Sequence, residues 1–256
     1  MKKAARAAEP NQMMENQLVG RTRGQILSDI EGRFGFIPPF FTQAKSNEVL
    51  ESLWQLTLSC YIDNPLPSLL KEKLFAYLSR YCDKPYCLVC HSCFLLPLGM
   101  TPSQVRSLVC MPTPGNVEIR ALLDEGMETE NRSWKQNKGE LDHLVIRLSA
   151  VFYLKLQSSD AAHLLLGRIL GEQFEHLVTF LGYVRMCGLW IDSHPELSYE
   201  ADKRAQDSLP SLLHDEPTLT EFFRAYIEVV KAEMVEINAS LNVRDVSTTV
   251  QHFSRE

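Results

Sequence analysis

The sequence predicts an all-α protein. Three observations carry that expectation. Apolar residues recur at helical spacing in several long segments, proline and glycine punctuate between them, and no stretch joins strict alternation to β-branched enrichment and hairpin turns. Taken in order, VLESLWQLTLSCYI (49–62) places Leu53, Leu56, Cys60 and Tyr61 near one face. LLKEKLFAYLSRYC (69–82) does the same with Leu70, Leu74, Tyr77, Leu78 and Tyr81. FGFIPPFF (34–41) reads as an extended loop, because each proline biases its predecessor away from helix, and DNPLPS (63–68) is a second break. TPSQV (101–105) starts a helix, with Thr101 as N-cap and Pro102 at the first helical position. Residues 111–140 read as a long polar connection. Segments 141–157 and 162–191 are long and apolar, with Gly171 as a break in the second. HPELSYEAD (194–202) reads as a helix start with Glu196 and Glu200 one turn apart.

The last segment differs. From Leu219, apolar residues fall at Phe223, Tyr226, Val230, Met234, Ile237 and Leu241, in the steps of three and four that coiled coils use. Such a helix either packs on the body or pairs with a partner helix. The chain after Asn242 reads as disordered.

Composition narrows the function classes. The chain has 256 residues, 45% hydrophobic and 23% charged, with a formal net charge of -6. A mildly acidic surface gives no electrostatic reason to expect nucleic acid or an anionic membrane. No apolar run reaches the roughly 18 residues that a membrane span needs. The opening MKKAARAAEPNQMMENQ lacks the apolar core of an export signal, so a cytoplasmic location with reduced thiols is expected.

Four of the seven cysteines fall within YCDKPYCLVCHSC (81–93), together with His91. Pro85 suits the first turn of a helix that begins near Lys84. Cys87, Cys90 and His91 then lie in its first two turns, where the helix dipole favours thiolate. Cys87 and Cys90 are near neighbours on one face, and His91 is placed to accept a proton from Cys87. Several chemistries share this pattern. CLVCH matches the C-x-x-C-H of c-type haem attachment, the sulfurs and imidazole suit zinc, and cysteine also serves as a small apolar core residue. A thiol redox centre is the fourth reading.

The stretch EKLFAYLSRYCDKPYCLVCHSCFLLPLG (72–99) resembles the motif of the alkylhydroperoxidase D-like and carboxymuconolactone decarboxylase superfamily. That motif has a helical Glu, a C-x-x-C pair, a His four residues after the second Cys, and a Gly about eight further on. GFIPPFFTQAKSNEVLESLW (35–54) resembles the lead-in of the peroxidase-related branch, and 141–195 resembles the closing helices. In this register Glu72 precedes Cys87 by fifteen residues, His91 follows by four, and Gly99 by eight more. Lys84 then stands where the family has its first cysteine. Pairing Cys87 with Cys90 as the motif's two cysteines would put Phe94 where His belongs.

The resemblance implies an alkylhydroperoxidase D-like helical bundle with an added long C-terminal helix. Its boundaries are a flexible terminus at 1–24, the domain at 25–200, a helical extension at 201–245 and a disordered tail at 246–256. It implies thiol-dependent reduction of small-molecule hydroperoxides. Cys87 is the nucleophile, Glu72 and His91 are the proton relay, and Cys90 or Cys82 is the resolving thiol, with the charge of Lys84 lowering the pKa of Cys87. No metal or organic cofactor is implied. The expected partners are a thiol reductant protein and further copies of the chain, in a homo-oligomer. The alternative is a non-catalytic redox- or ligand-sensing domain that signals through the C-terminal helix.

Overall fold

The structure, a computed structural model, describes residues 21–129 and 139–253, the stretch 240–253 in backbone alone. Every regular element among the described residues is helical, with no strand among them. They divide into two compact units at Leu56/Thr57.

The first unit holds α1 (Arg23–Phe34), α2 (Pro39–Thr42) and most of α3 (Asn47–Thr57). Thr22 caps α1, with Gln25 closing the reciprocal capping box, and Gly35 ends it at φ 77°. Helix α2 falls inside the prolines that read as an extended loop. Pro39 occupies a first-turn position that needs no N–H donor, so proline starts this turn of helix rather than preventing it. Phe34, Phe41 and Trp54 cluster here, and the Trp54 indole donates to Asp29 at 2.7 Å.

The second unit begins with a π-helical turn, Leu58–Ile62, then α4 (Ser68–Leu78), a 3-10 turn (Ser79–Tyr81), and α5 (Tyr86–Phe94). Helices α6 (Pro102–Val109), α7 (Asn116–Thr129), α8 (Asp142–Leu154), α9 (Ser159–Leu170), α10 (Phe174–Asp192), α11 (Lys203–Asp215) and α12 (Thr218–Phe253) follow. Helices α4 and α5 form the centre. Leu70 to Leu78 of α4 is buried on every face except at Lys73, and Tyr86 to Cys93 of α5 is buried without interruption. A helix apolar all round belongs inside, and these two are ringed by α8, α10 and α11.

Several sequence expectations hold. Thr101 and Gln104 form a capping box with Pro102 in the first turn of α6. Gly171, at φ 54° and ψ -125°, separates α9 from α10. Others are corrected. The polar connection 111–140 contains α7, whose buried Ile119 and Leu122 keep helical spacing despite its polarity. Gly126 lets α7 approach α9 closely: a Cβ there would stand 2.2 Å from Leu165. Residues 130–138, with Trp134, lie outside the described residues, as do 1–20 and 254–256. HPELSYEAD is not a helix start. It passes through a short 3-10 turn, and only its last residue, Asp202, caps a helix, α11. Helix α12 continues to Phe253, past the tail boundary at 246, because nothing from 242 to 253 is proline or glycine.

Helix α12 folds back on the second unit. Leu219, Tyr226, Val230 and Ile237 of its apolar stripe are buried there, with Phe223 and Met234 half-buried. Arg80 anchors it from the body. Its buried guanidinium pairs with Glu233 at 2.8 Å and donates to the Met111 carbonyl, while Glu233 also accepts from the Thr113 amide at 2.9 Å. No described helix is long and apolar enough to cross a membrane.

Candidate active site

Glu72 projects from α4 into the interior, where it is 2% exposed. A carboxylate there must be hydrogen-bonded to survive desolvation. Two donors meet it. His91 Nδ1 lies 2.7 Å from one oxygen, and the Tyr61 hydroxyl donates to the other. Charge-assisted bonds of this kind contribute about 1.5–3 kcal/mol each.

The rings that hold His91 come from three helices. Phe75, one turn after Glu72 on α4, stacks on the imidazole with centroids 3.6 Å apart and planes 9° apart. Tyr61 meets it edge-on at 6.1 Å and stacks on Tyr183 of α10 at 5.9 Å. Tyr183 in turn hydrogen-bonds Thr57 at 2.9 Å. Tyr61 reaches this position from the π-helical turn, an irregularity that recurs at functional sites. The loosened carbonyls of that segment are covered by Lys71, which donates to those of Tyr61 and Ile62, and to that of Asn64 at 2.8 Å.

Burial drives the His91 pKa below its ordinary value, opposed by Glu72. The imidazole is therefore neutral at pH 7. With Nδ1–H donated to Glu72, Nε2 is left with a lone pair, the arrangement of an oriented general base.

Cys87 sits one turn before His91 on α5, 3% exposed. No hydrogen bond among the described residues joins its sulfur to the imidazole. Burial pushes its thiol well up, with the neighbouring Cys187, Cys82 and Cys90 adding to the effect. This corrects the expectation of a thiolate at a helix N-terminus. The helix end contributes about 0.3–1 kcal/mol, whereas burying an ion costs several. The charge of Arg204 opposes this rise, and its pull is smaller than the burial effect. The Cys87 thiol is thus neutral at rest.

The two expected resolving thiols are placed differently. Cys90 lies on an adjoining stripe of α5, near Asp202 at the start of α11. Its pKa is also raised, by burial. Asp202 is fully buried, accepts from Tyr86 at 2.6 Å, and pairs with Arg204 at 2.9 Å. Cys82 is half-buried in the turn before α5, and burial pushes it up to about 12. Its sulfur rests against α10, 2.8 Å from where a Cβ on Gly188 would stand.

Sequence reasoning missed Tyr61, Tyr183, Cys187 and Arg204. Tyr61 was legible only as part of an apolar stripe, since a π-turn leaves no pattern in residue types. Cys187 stands alone in an apolar helix and looks like core. The 450 Å³ groove between α7 and α9, lined by residues such as Met127, Leu164 and Arg168, includes none of these groups. Among the described residues no three or more His, Cys, Asp or Glu side chains gather as a metal site.

No family model matches the chain, and neither a curated protein nor a solved structure matches it. Its class therefore rests on its own geometry: an all-helical protein with a buried glutamate–histidine–tyrosine set one helical turn from a thiol.

Proposed function

We propose that the chain is a thiol-dependent, peroxidase-like protein of alkylhydroperoxidase type, with Cys87 as nucleophile. The observation that carries this reading is the buried Glu72–His91 hydrogen bond of 2.7 Å beside Cys87 on one helix. Glu72 fixes the tautomer, and Nε2 of His91 takes the thiol proton as a hydroperoxide arrives. The sulfur attacks the terminal peroxide oxygen, the O–O bond breaks, and His91 returns the proton to the leaving alkoxide. The products are the Cys87 sulfenic acid and an alcohol. A second thiol then displaces water to form a disulfide, which an external dithiol or thiol reductant protein reduces. A cytoplasmic setting and a homo-oligomeric assembly belong to the same reading.

The test is hydroperoxide consumption with dithiothreitol as the reductant. Many turnovers per chain are expected, lost in Cys87→Ser. Consumption that is unchanged in Cys87→Ser would refute the proposal.

A specific contact favours a second reading, a redox- or ligand-sensing domain. Tyr226 of α12 donates to the Cys82 backbone carbonyl at 2.9 Å, so the thiol-bearing turn is fastened to the long helix. Oxidation at that turn would then be transmitted along α12. This reading expects one oxidation event per chain without turnover, and a change in α12 that Val230→Asp uncouples.

A further inference from the structure

The family pattern leaves this chain without a resolving thiol at position 84, and Cys90 faces Asp202. The contacts between the 82–91 segment and α10 offer another partner. Asp83 lies close to the Asp192 carboxylate. Cys82 Sγ packs on Gly188. His91 and Tyr183 both contact the Tyr61 and Phe75 rings, the Tyr183–Phe75 centroids being 6.1 Å apart. As the chain rises from 82 to 91, its contacts on α10 therefore descend from 188 and 192 to 183.

Between these fixed points each helix has one buried cysteine on the matching stripe. Cys87 is four residues before His91, toward Cys82. Cys187 is four residues after Tyr183, toward Gly188. Four residues are one helical turn, about 6 Å of rise, so both thiols are displaced in the same direction by the same distance from the aromatic level. Cys187 is 2% exposed, and Tyr183, one turn before it, is held by Thr57 at 2.9 Å. Tyr183 is thereby fixed at the aromatic level of this stripe.

Resting on the peroxidase reading, we infer that Cys187 is the resolving thiol: its sulfur attacks the Cys87 sulfenic acid, expels water, and closes a Cys87–Cys187 disulfide between α5 and α10. The two electrons that reduce the hydroperoxide come from these two thiols. The product is a cross-link between helices instead of a bond within one helical turn.

The test is peptide mapping of the full-length protein after one equivalent of cumene hydroperoxide, with free thiols blocked at quench. A linked Cys87–Cys187 peptide pair is expected in the wild type and in Cys90→Ser. In Cys187→Ser, and in Cys187→Ala as a second variant, dimedone should trap at least about tenfold more sulfenic acid on Cys87. Cys87 linked to Cys90 or Cys82 in the wild type would overturn the role of Cys187 and leave the Cys87 chemistry standing. Absence of any oxidation at Cys87 would overturn both.

Discussion

Glu72 and Asp202 address adjoining stripes of α5, and each accepts a hydrogen bond from a buried tyrosine, Tyr61 in one case and Tyr86 in the other. Each also has one basic partner and a cysteine nearby. The difference is the partner. Asp202 faces Arg204, which is always charged and has no lone pair to offer. That pair is a closed electrostatic unit at a helix cap, and it holds α11 against α5. Glu72 faces His91, which burial keeps neutral and whose second nitrogen is a base. Nearly the same ingredients thus give a clamp on one stripe and a proton acceptor on the next. The distinction lies in whether the basic partner has a lone pair free to take up a proton.

Stability separates the two most strongly. Asp202→Ala strands a buried guanidinium and should cost about 3–5 kcal/mol in urea unfolding. Glu72→Gln keeps a hydrogen-bond acceptor and should cost about 1–3 kcal/mol. Equal losses would erase the contrast. Kinetics should reverse the ranking. His91→Phe preserves the stack on Phe75 and should slow Cys87 oxidation about 100-fold or more, the usual weight of a general base. Tyr86→Phe, on the clamp side, should slow it less than about tenfold; rapid-quench labelling of Cys87 reads both.

Acid and alkali probe the same set more gently. The folded pKa of His91 is lowered, so its contribution to stability is present above about pH 6.5 and lost as pH falls through the folded value. His91→Phe should remove that part of the acid slope in melting temperature. For Cys82 the folded pKa is raised from 9.0 to about 12. Its contribution is full below pH 9 and lost as pH rises toward 12, a loss that Cys82→Ser should abolish. The smallest effect belongs to a surface pair. Lys203 and Asp207, 3.0 Å apart, are more than half exposed, and Lys203→Ala should change stability by no more than about 0.5 kcal/mol.

How much of this was legible in the sequence differs between the two sets. Glu72, Cys87 and His91 carried a recognisable spacing, and Glu72 and His91 meet in space. The all-α fold followed from periodicity, which burial enforces over many residues at once. The Asp202 cap was hidden, because HPELSYEAD offers Pro195 and acids as a more conventional helix start, while its true cap lies at the far end of that stretch. Tyr61 was hidden because a π-turn, here with its carbonyls covered by Lys71, leaves no pattern in residue types. The thiol pKa values were misjudged for a related reason. Position in a helix is visible in sequence, but the depth at which neighbouring helices bury that position is not. Cys87 is controlled by the second.

That depth also defines the decisive measurement, which is site-resolved dimedone capture after one equivalent of cumene hydroperoxide. Cys60, Cys82 and Cys110 are half-buried, whereas Cys87 is fully enclosed. If the Glu72–His91 pair activates Cys87, the adduct should form there first despite its burial and should fall sharply in Glu72→Gln. If labelling follows exposure, with Cys60, Cys82 and Cys110 oxidised ahead of Cys87 and Glu72→Gln without effect, the buried set is structural and the peroxidase account is wrong.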